Sequence, residues 1–352
     1  MTRDWRLNWP VTVLERVLRA TRTGAASESR TIGVILCAGV GQRMAPLTKK
    51  APKPALPVLN CPMVWWSLAR ISGVVGQVRI NTHYLSAAFA PLEAITRDAG
   101  ISFSSIYEPH LTGPVGGVVA CCGRPESSYD VLVLVGDAYY EADFASLLRT
   151  HRTSEADVTM GVARVNDSSR YGVLAVDAEG RVTGMSEKPK DAGPTNNASC
   201  GIYILSSAVF AKYLDQSVPL DWVDFVERLV TSSSNVRAAR IDGWWDAGTP
   251  EDLLKLNLAM MTDKKLALVS SRSTNYSASV WLQSDASISA TAQFGGKVLV
   301  GPGSLVDAGV SLHNVIVGTG ARVRRGATVA NAVILPGAEV PANKQVSNMV
   351  WS

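Results

Sequence analysis

Residues 31–58 read TIGVILCAGVGQRMAPLTKKAPKPALPV, and the rest of the chain is organised around them. Ile32–Leu36 is an apolar run of strand length, as expected for a strand buried on both faces. It feeds the small-residue loop Cys37-Ala38-Gly39-Val40-Gly41. Glycines there let backbone N–H groups approach a polyanion closely. Gln42 and Arg43 follow, and Lys53 stands ten residues on, supplying the positive charge a triphosphate demands. Two familiar phosphate loops do not fit. A dinucleotide fingerprint needs a third glycine where Met44 stands, and a Walker loop needs Lys after Gly41, where Gln42 stands.

With 352 residues the chain is long for one core, so two domains are expected. Hydrophobic residues make up 47% and charged residues 18%, which excludes a disordered chain. A net charge of +4 gives no reason to expect nucleic acid. The five cysteines form no C-x-x-C pair and read as buried thiols of a reducing cytoplasm, not a disulfide frame or zinc site. No apolar run reaches the ~18 residues of a membrane span, and the Arg-rich start has no apolar segment of a secretory signal.

Residues 1–30 form an N-terminal helical extension. Val11, Leu14, Val17 and Leu18 fall at helical spacing behind Pro10, Trp5 and Trp9 suggest docking, and Gly24–Ser29 reads as a connector. From 31 to 262, apolar strands (Ile32–Leu36, Val78–Asn81, Val131–Val135, Val158–Val165, Val173–Val176, Gly201–Leu205) alternate with helical stretches (Pro62–Ile71, Ala87–Ala99, Gly116–Cys122, Phe144–His151, Pro250–Met261). Such alternation predicts an α/β fold, a Rossmann-like sheet, mixed or mostly parallel, that binds ligand beyond its strands' carboxyl ends. Residues 263–352 change character. Leu282, Ile288, Phe294, Val300, Val306 and Leu312 recur every six residues, and after a one-residue slip Val317, Val323, Val329 and Leu335 continue. That period predicts a parallel β-helix with three short strands per coil.

Ala38-Gly39-x-Gly41-Gln42-Arg43-Met44-x-Pro46-Leu47-Thr48 and Pro52-Lys53-Pro54-x-Leu56-Pro57-Val58 resemble the signature of the sugar-1-phosphate nucleotidyltransferases, or NDP-sugar pyrophosphorylases. The resemblance covers residues 31–345. It implies attack of a sugar-1-phosphate oxygen on the α-phosphorus of an NTP, with Mg²⁺ as cofactor and pyrophosphate leaving. Cys37, Ala38, Gly39, Gly41, Gln42, Arg43 and Lys53 are the implied nucleotide-binding set, with Arg43 neutralising the pyrophosphate. Val131–Val135 ends at Gly136-Asp137, where a carboxylate beside a glycine suits a hard metal ion. The family has a metal-binding aspartate there and a second in a W-x-D-x-G-T stretch, matched by Asp246, with Asp242 the local decoy. Glu187-Lys188-Pro189 matches the family's E-K-P, in which the glutamate holds sugar hydroxyls and the lysine the sugar phosphate. Gly172 would let backbone approach the sugar. Glu108, Gly113 and Gly116 fall where relatives read the base.

Two positions depart from the pattern. Ser199 stands where the family usually has Asn, with Asn196 and Asn197 just upstream, and Leu111-Thr112-Gly113-Pro114-Val115-Gly116 departs from L-G-T-A-G. A hydroxyl makes fewer hydrogen bonds than an amide, so sugar contacts change. His83, His110 and His151 lack metal or triad spacing; His313 lies in the repeat region and is read as structural. The branch most resembled is mannose-1-phosphate guanylyltransferase-like, which favours GTP, with a sugar- or cyclitol-1-phosphate as acceptor. The repeat tail is similar to the left-handed hexapeptide β-helix of many pyrophosphorylases and implies a homo-oligomer. The rivals are a non-catalytic regulatory paralogue, which would be expected to lose Arg43, Lys53 or an aspartate, and a bifunctional enzyme with an acyltransferase β-helix.

Overall fold

Val34 and Ile35 are both fully buried although they point to opposite faces, so the strand that carries them lies inside a sheet covered on both sides. The computed structural model describes residues 11–21, 28–123, 129–189, 197–213, 221–273 and 276–352; Trp5, Trp9, Pro10, Asn196 and most of Gly24–Ser29 lie outside the described residues. The strands up to residue 246 are β1 (Glu28–Leu36), β2 (Pro57–Val58), β3 (Cys61–Pro62), β4 (Val75–Thr82), β5 (Phe103–Tyr107), β6 (Asp130–Val135) and β7 (Ala138–Tyr140). They continue with β8 (Val158–Arg164), β9 (Gly172–Val176), β10 (Val182–Glu187), β11 (Asn197–Leu205), β12 (Val236–Arg240) and β13 (Trp244–Asp246). The helices are α1 (Val11–Thr21), α2 (Met63–Ile71), α3 (Pro91–Asp98), α4 (Gly113–Cys122), α5 (Phe144–Thr153), α6 (Ser207–Tyr213), α7 (Trp222–Thr231), α8 (Pro250–Met260) and α9 (Asp263–Val269).

The sheet runs β10-β9-β11-β6-β1-β4-β5, with β8 and β12 added beyond β11. β1 is parallel to β4 and β6, and β4 to β5, as the alternating pattern predicts. β11 enters antiparallel to β6, β8 and β9, so the sheet is mixed. An apolar run carries no mark of strand direction, which is why the sequence left mixed and parallel arrangements both open. β5, β10 and β12 escape the apolar-run criterion because each exposes side chains. Alternate strand residues feed two cores. Ile35, Leu132 and Leu134 pack with α2, α3, α8 and α9, while Val34, Val131 and Val133 pack with α4 and α7.

α1 turns Val13, Leu14, Val17 and Leu18 into the first of these cores. Trp65 Nε1 donates to Leu14 O (3.0 Å) and Arg16 donates to Ser270 O (3.2 Å). The helix therefore covers the chain's own body.

From Ser271 the chain builds two parallel ladders. One contains β14 (Ser271–Arg272), β15 (Val280–Leu282), β17 (Gln293–Val300), β19 (Ser311–Val317), β21 (Thr328–Ile334) and β23 (Gln345–Trp351), with β14 alone antiparallel. The other contains β16 (Ser287–Ile288), β18 (Leu305–Val306), β20 (Arg322–Val323) and β22 (Glu339–Val340). Val300 pairs with Val317 and Val317 with Ile334, so one repeat advances seventeen residues, one short of three six-residue periods. Ile334, not Leu335, thus continues the buried column. Leu335 turns outward into the first core. Within each long strand Val298, Val300, Val315 and Val317 point into the coils while Leu299, Ile316 and Val333 point into the first core, which docks the ladders on the α/β domain. Asn314, Asn331 and Asn348 bend these strands with φ near +50°, a conformation asparagine tolerates, and stack amide to amide at 3.1 and 3.2 Å.

Candidate active site

β1 and β6 are paired neighbours that end together, Leu36 opposite Val135, so their following loops emerge side by side. Gly136 makes this possible: a Cβ there would lie 2.7 Å from Cys37 Sγ and 2.8 Å from Leu36 O. Past it stands Asp137. On the β1 side Gly39 is exposed with open space around it, and Gly41 turns with φ +67° while its carbonyl accepts from Thr48 Oγ1 at 3.1 Å. Gln42 and Arg43 are exposed on the short turn that follows. Lys53, on the second such turn after it, is only 5% exposed.

β13 pairs antiparallel with β7, Asp246 opposite Ala138, and so brings a second carboxylate beside Asp137. Lys53 Nζ donates to Asp137 Oδ2 at 2.6 Å and lies 3.6 Å from Asp246 Oδ1. The side chain of Asp137 is 37% exposed and that of Asp246 17%. Burial pushes the Asp246 carboxyl above its ordinary range; Lys53 and Arg43 oppose that rise, while Asp137 and Asp252 add to it. Residues 53, 137 and 246, far apart in the chain, form one charged cluster.

The cluster opens on a cleft of about 350 Å³ whose walls include Arg43, Pro114, Glu187, Lys188, Ser199 and Asp246. Glu187 ends β10 opposite Gly172, where a Cβ would come within 2.4 Å of Met185 Cε and 3.1 Å of Glu187 Oε2. Lys188 has φ +44°, its N–H donates to Tyr171 O (3.0 Å), and its Nζ pairs with Glu187 at 2.7 Å. Both side chains are about half exposed. Ser199 Oγ meets Tyr203 OH at 3.1 Å across a bulge in β11, and the Tyr203 ring stacks on Trp222 at 3.6 Å. The serine in the family's asparagine position therefore shares its hydroxyl with a tyrosine.

Sequence reasoning missed several members. Arg170 Nη2 donates to Asp252 Oδ2 at 2.5 Å, beside Asp246. Burial works to raise the Asp252 carboxyl, but Arg170 and Thr249 outweigh it and hold it below its ordinary range. Thr249 and Asp252 form a capping box at the start of α8. The signal was present, since Thr249-Pro250-Glu251-Asp252 is a helix start. Nothing local announces Arg170, Tyr171, Tyr203 or Trp222 as wall residues.

Several of the expected nucleotide-binding positions have surroundings that the sequence did not show. The Cys37 N–H donates to Asn81 Oδ1 at 2.7 Å and its thiol is buried. Glu108 is 4% exposed and accepts from Asn81 Nδ2 (2.6 Å) and Thr112 Oγ1 (3.1 Å); it braces the loop. Gly113 and Gly116 belong to the first turn of α4 and not to a loop, because Pro114 presets a helical φ. A Cβ at Gly116 would strike Thr112 Oγ1 at 2.3 Å, so this glycine serves packing. Ala38 is buried, Asp242 is exposed and paired with Arg240, and His313 is exposed in β19. His83 contacts Glu108 O and His151 contacts Thr159, both at 2.8 Å.

Among the described residues no group of three or more His, Cys, Asp or Glu could enclose a metal ion. Two carboxylates converging on one cation do fit Mg²⁺, which takes one or two carboxylates and completes its shell with water and substrate phosphate. No described helix is long and apolar enough to cross a membrane.

The comparisons with known proteins agree with this geometry. Residues 32–263 match the nucleotidyl transferase family model. The chain is 31% identical over 225 residues to a mannose-1-phosphate guanylyltransferase of Mycobacterium tuberculosis, covering 63% of this chain but 62% of that protein, less than two thirds of its length. It is 30% identical over 280 residues to a glucose-1-phosphate adenylyltransferase of Clostridium perfringens, covering 72% of this chain and 70% of that one. A Bacillus anthracis structure assigned as a glucose-1-phosphate thymidylyltransferase superposes with a TM-score of 0.56 at 22% identity, over 65% of this chain and 94% of that chain, a likeness of fold. With two thirds of its length matched by the family model, the chain belongs to the nucleotidyl transferase family.

Proposed function

We propose that the protein condenses a nucleoside triphosphate with a sugar-1-phosphate, giving an NDP-sugar and pyrophosphate. The observation that carries the reading is the Lys53–Asp137–Asp246 cluster at the mouth of a cleft walled by Arg43, Glu187 and Lys188. A phosphate oxygen of the sugar phosphate attacks the α-phosphorus, the bond to the β-phosphate bridging oxygen breaks, and pyrophosphate leaves. The exposed Gly39–Gly41 turn and Gln42 bind the triphosphate, and Arg43 and Lys53 neutralise its charge. Lys188 holds the acceptor phosphate while Glu187, Gly172 and Ser199 meet its sugar. Asp137 and Asp246 would hold Mg²⁺, which would supply Lewis-acid neutralisation of the reacting phosphates. GTP is the favoured nucleotide, supported by the guanylyltransferase relative, and a sugar-like cyclitol phosphate remains within the acceptor class.

We read residues 263–352 as a left-handed β-helix domain that opens with α9, carries the two ladders from Ser271 and serves self-association. The five described cysteines, all buried and unpaired, support a cytoplasmic setting. The test is pyrophosphate release across four NTPs and a panel of sugar- and cyclitol-1-phosphates, with Mg²⁺ and with EDTA. Metal-dependent release with one pair establishes the reaction and names both substrates. Nucleotide binding with no release for any pair would replace the enzyme by a regulatory paralogue.

A further inference from the structure

Lys53 and Asp246 are 193 positions apart, yet their charged groups lie 3.6 Å from each other. Something has to hold the two segments in register. Four residues after Lys53 the chain enters the β2–β3 hairpin, and four residues after Asp246 it enters α8. Asn257, on α8 and completely buried, joins the two. Its Oδ1 accepts from Leu59 N at 2.9 Å, and its Nδ2 donates to Pro57 O at 3.1 Å and to Leu253 O at 3.0 Å. One side chain thus satisfies two hairpin backbone groups and one carbonyl of its own helix, with both amide hydrogens used.

The next hairpin residue extends the connection. Asn60 is 4% exposed, and its Nδ2 donates to Gln283 Oε1 and to Val317 O, both at 3.0 Å. Gln283 Nε2 in turn donates to Val269 O at 2.9 Å. A continuous buried polar path therefore runs from α8 through the hairpin into the coils. Buried amides of this kind specify one arrangement, because a shifted hairpin would leave their partners unbonded in an apolar surround.

We infer that Asn257 is a positioning residue that holds Lys53 in register with Asp246, and that Asn60 and Gln283 make the C-terminal ladders part of the same brace. Glu187 ends β10 and Lys188 follows it, both outside the brace. Loss of Asn257 is therefore felt at the nucleotide and metal side of the cleft and not at the sugar-phosphate side. A misplacement of the order of 1 Å costs roughly 10²-fold in rate at such a site, and a partial loosening correspondingly less.

The experiment compares full-length Asn257→Leu, Gln283→Leu and Ile95→Ala, the last a cavity in α3 as a stability-matched control. Steady-state pyrophosphate release is measured at a temperature well below every variant's melting point. Asn257→Leu is expected to lose about tenfold or more in kcat with the KM for sugar phosphate changed less than twofold, and Gln283→Leu a smaller share of kcat in the same pattern. Ile95→Ala keeps its kcat. A kcat for Asn257→Leu within twofold of the parent, or an equal fall in Ile95→Ala, overturns the positioning role; an unaltered Gln283→Leu overturns the extension into the ladders. The kinetic readout rests on the proposed activity. Amide hydrogen exchange does not: Asn257→Leu should speed exchange of Leu59 and of residues 53–60 and 246–252 relative to Ile95→Ala. Should the parent release no pyrophosphate with any pair, the proposed function falls while this exchange pattern still decides the brace, and unchanged exchange overturns it.

Discussion

Replacing Lys53 by Gln removes a cation that faces both carboxylates while leaving a hydrogen-bond donor one bond shorter. At an effective dielectric near 20, unit charges about 4 Å apart interact by about 4 kcal/mol, so the 3.6 Å approach to Asp246 is a substantial contribution. The net cost of its loss is smaller. Asp137 is more than one-third exposed and recovers hydration, and Asp246 escapes the repulsion by taking a proton. We expect about 1–2 kcal/mol of destabilisation at pH 7, below the usual range for breaking a fully buried pair, or roughly 2–8 °C in Tm for a domain of this size.

The pH dependence is the discriminating part. Burial already raises the Asp246 carboxyl and Lys53 opposes the rise, so the variant raises it further. A carboxyl whose folded pKa exceeds its unfolded value binds more protons folded than unfolded, so stability is greatest below the unfolded pKa, near 4, and falls as pH rises through the folded one. The Tm gap between parent and variant should therefore be small at pH 4 and widen towards pH 7. Scanning calorimetry from pH 4 to 8 measures it. A gap that stays flat would refute the electrostatic coupling. In pyrophosphate release the same variant should lose roughly 10²–10³ in kcat, the scale for one preorganised donor.

Three further outcomes follow from the geometry. Gly201 has φ +71° and a Cβ there would lie 2.4 Å from Val135 Cγ2. Gly201→Ala should cost roughly 2–4 kcal/mol, combining left-handed strain and overpacking, and urea unfolding with an unchanged midpoint would count against it. Asp252→Ala removes both the α8 cap and the Arg170 partner; a loss of about 1–2 kcal/mol is expected in the same assay, together with weaker metal-dependent nucleotide binding by calorimetry. Burial pushes the Cys122 and Cys200 thiols up to about 12 and raises Cys37, Cys61 and Cys121 as well. None should react with a thiol reagent within minutes at pH 8 in the native protein, whereas all five should react in denaturant.

Much of the site was legible because its chemistry is written in short stretches. The glycine loop with Arg43, the strand ending in Asp137, the E-K-P at Glu187-Lys188 and the aspartate after Trp244-Trp245 each sit where a strand stops, and a carboxyl-end position follows from the apolar run before it. The six-residue period likewise announced short strands at a regular spacing, since one inward aliphatic per face is a local rule.

Pairing partners were not legible. That Cys37 and Glu108 bond to Asn81 and Thr112 depends on β4, β5 and α4 arriving at the same place. The direction of β11 is equally silent in its apolar pattern, because a strand covered on both faces looks the same run either way. Leu335 left the column for the first core because the coil advances seventeen residues, a length set by how the turns close. By itself the sequence determined the family chemistry and the order of elements, through local spacing and residue type. Only the tertiary structure decided that Lys53 lies between Asp137 and Asp246, and that Asn257 and Asn60 tie that cluster to the ladders, because hydrogen bonds and charges act through space between segments some two hundred residues apart.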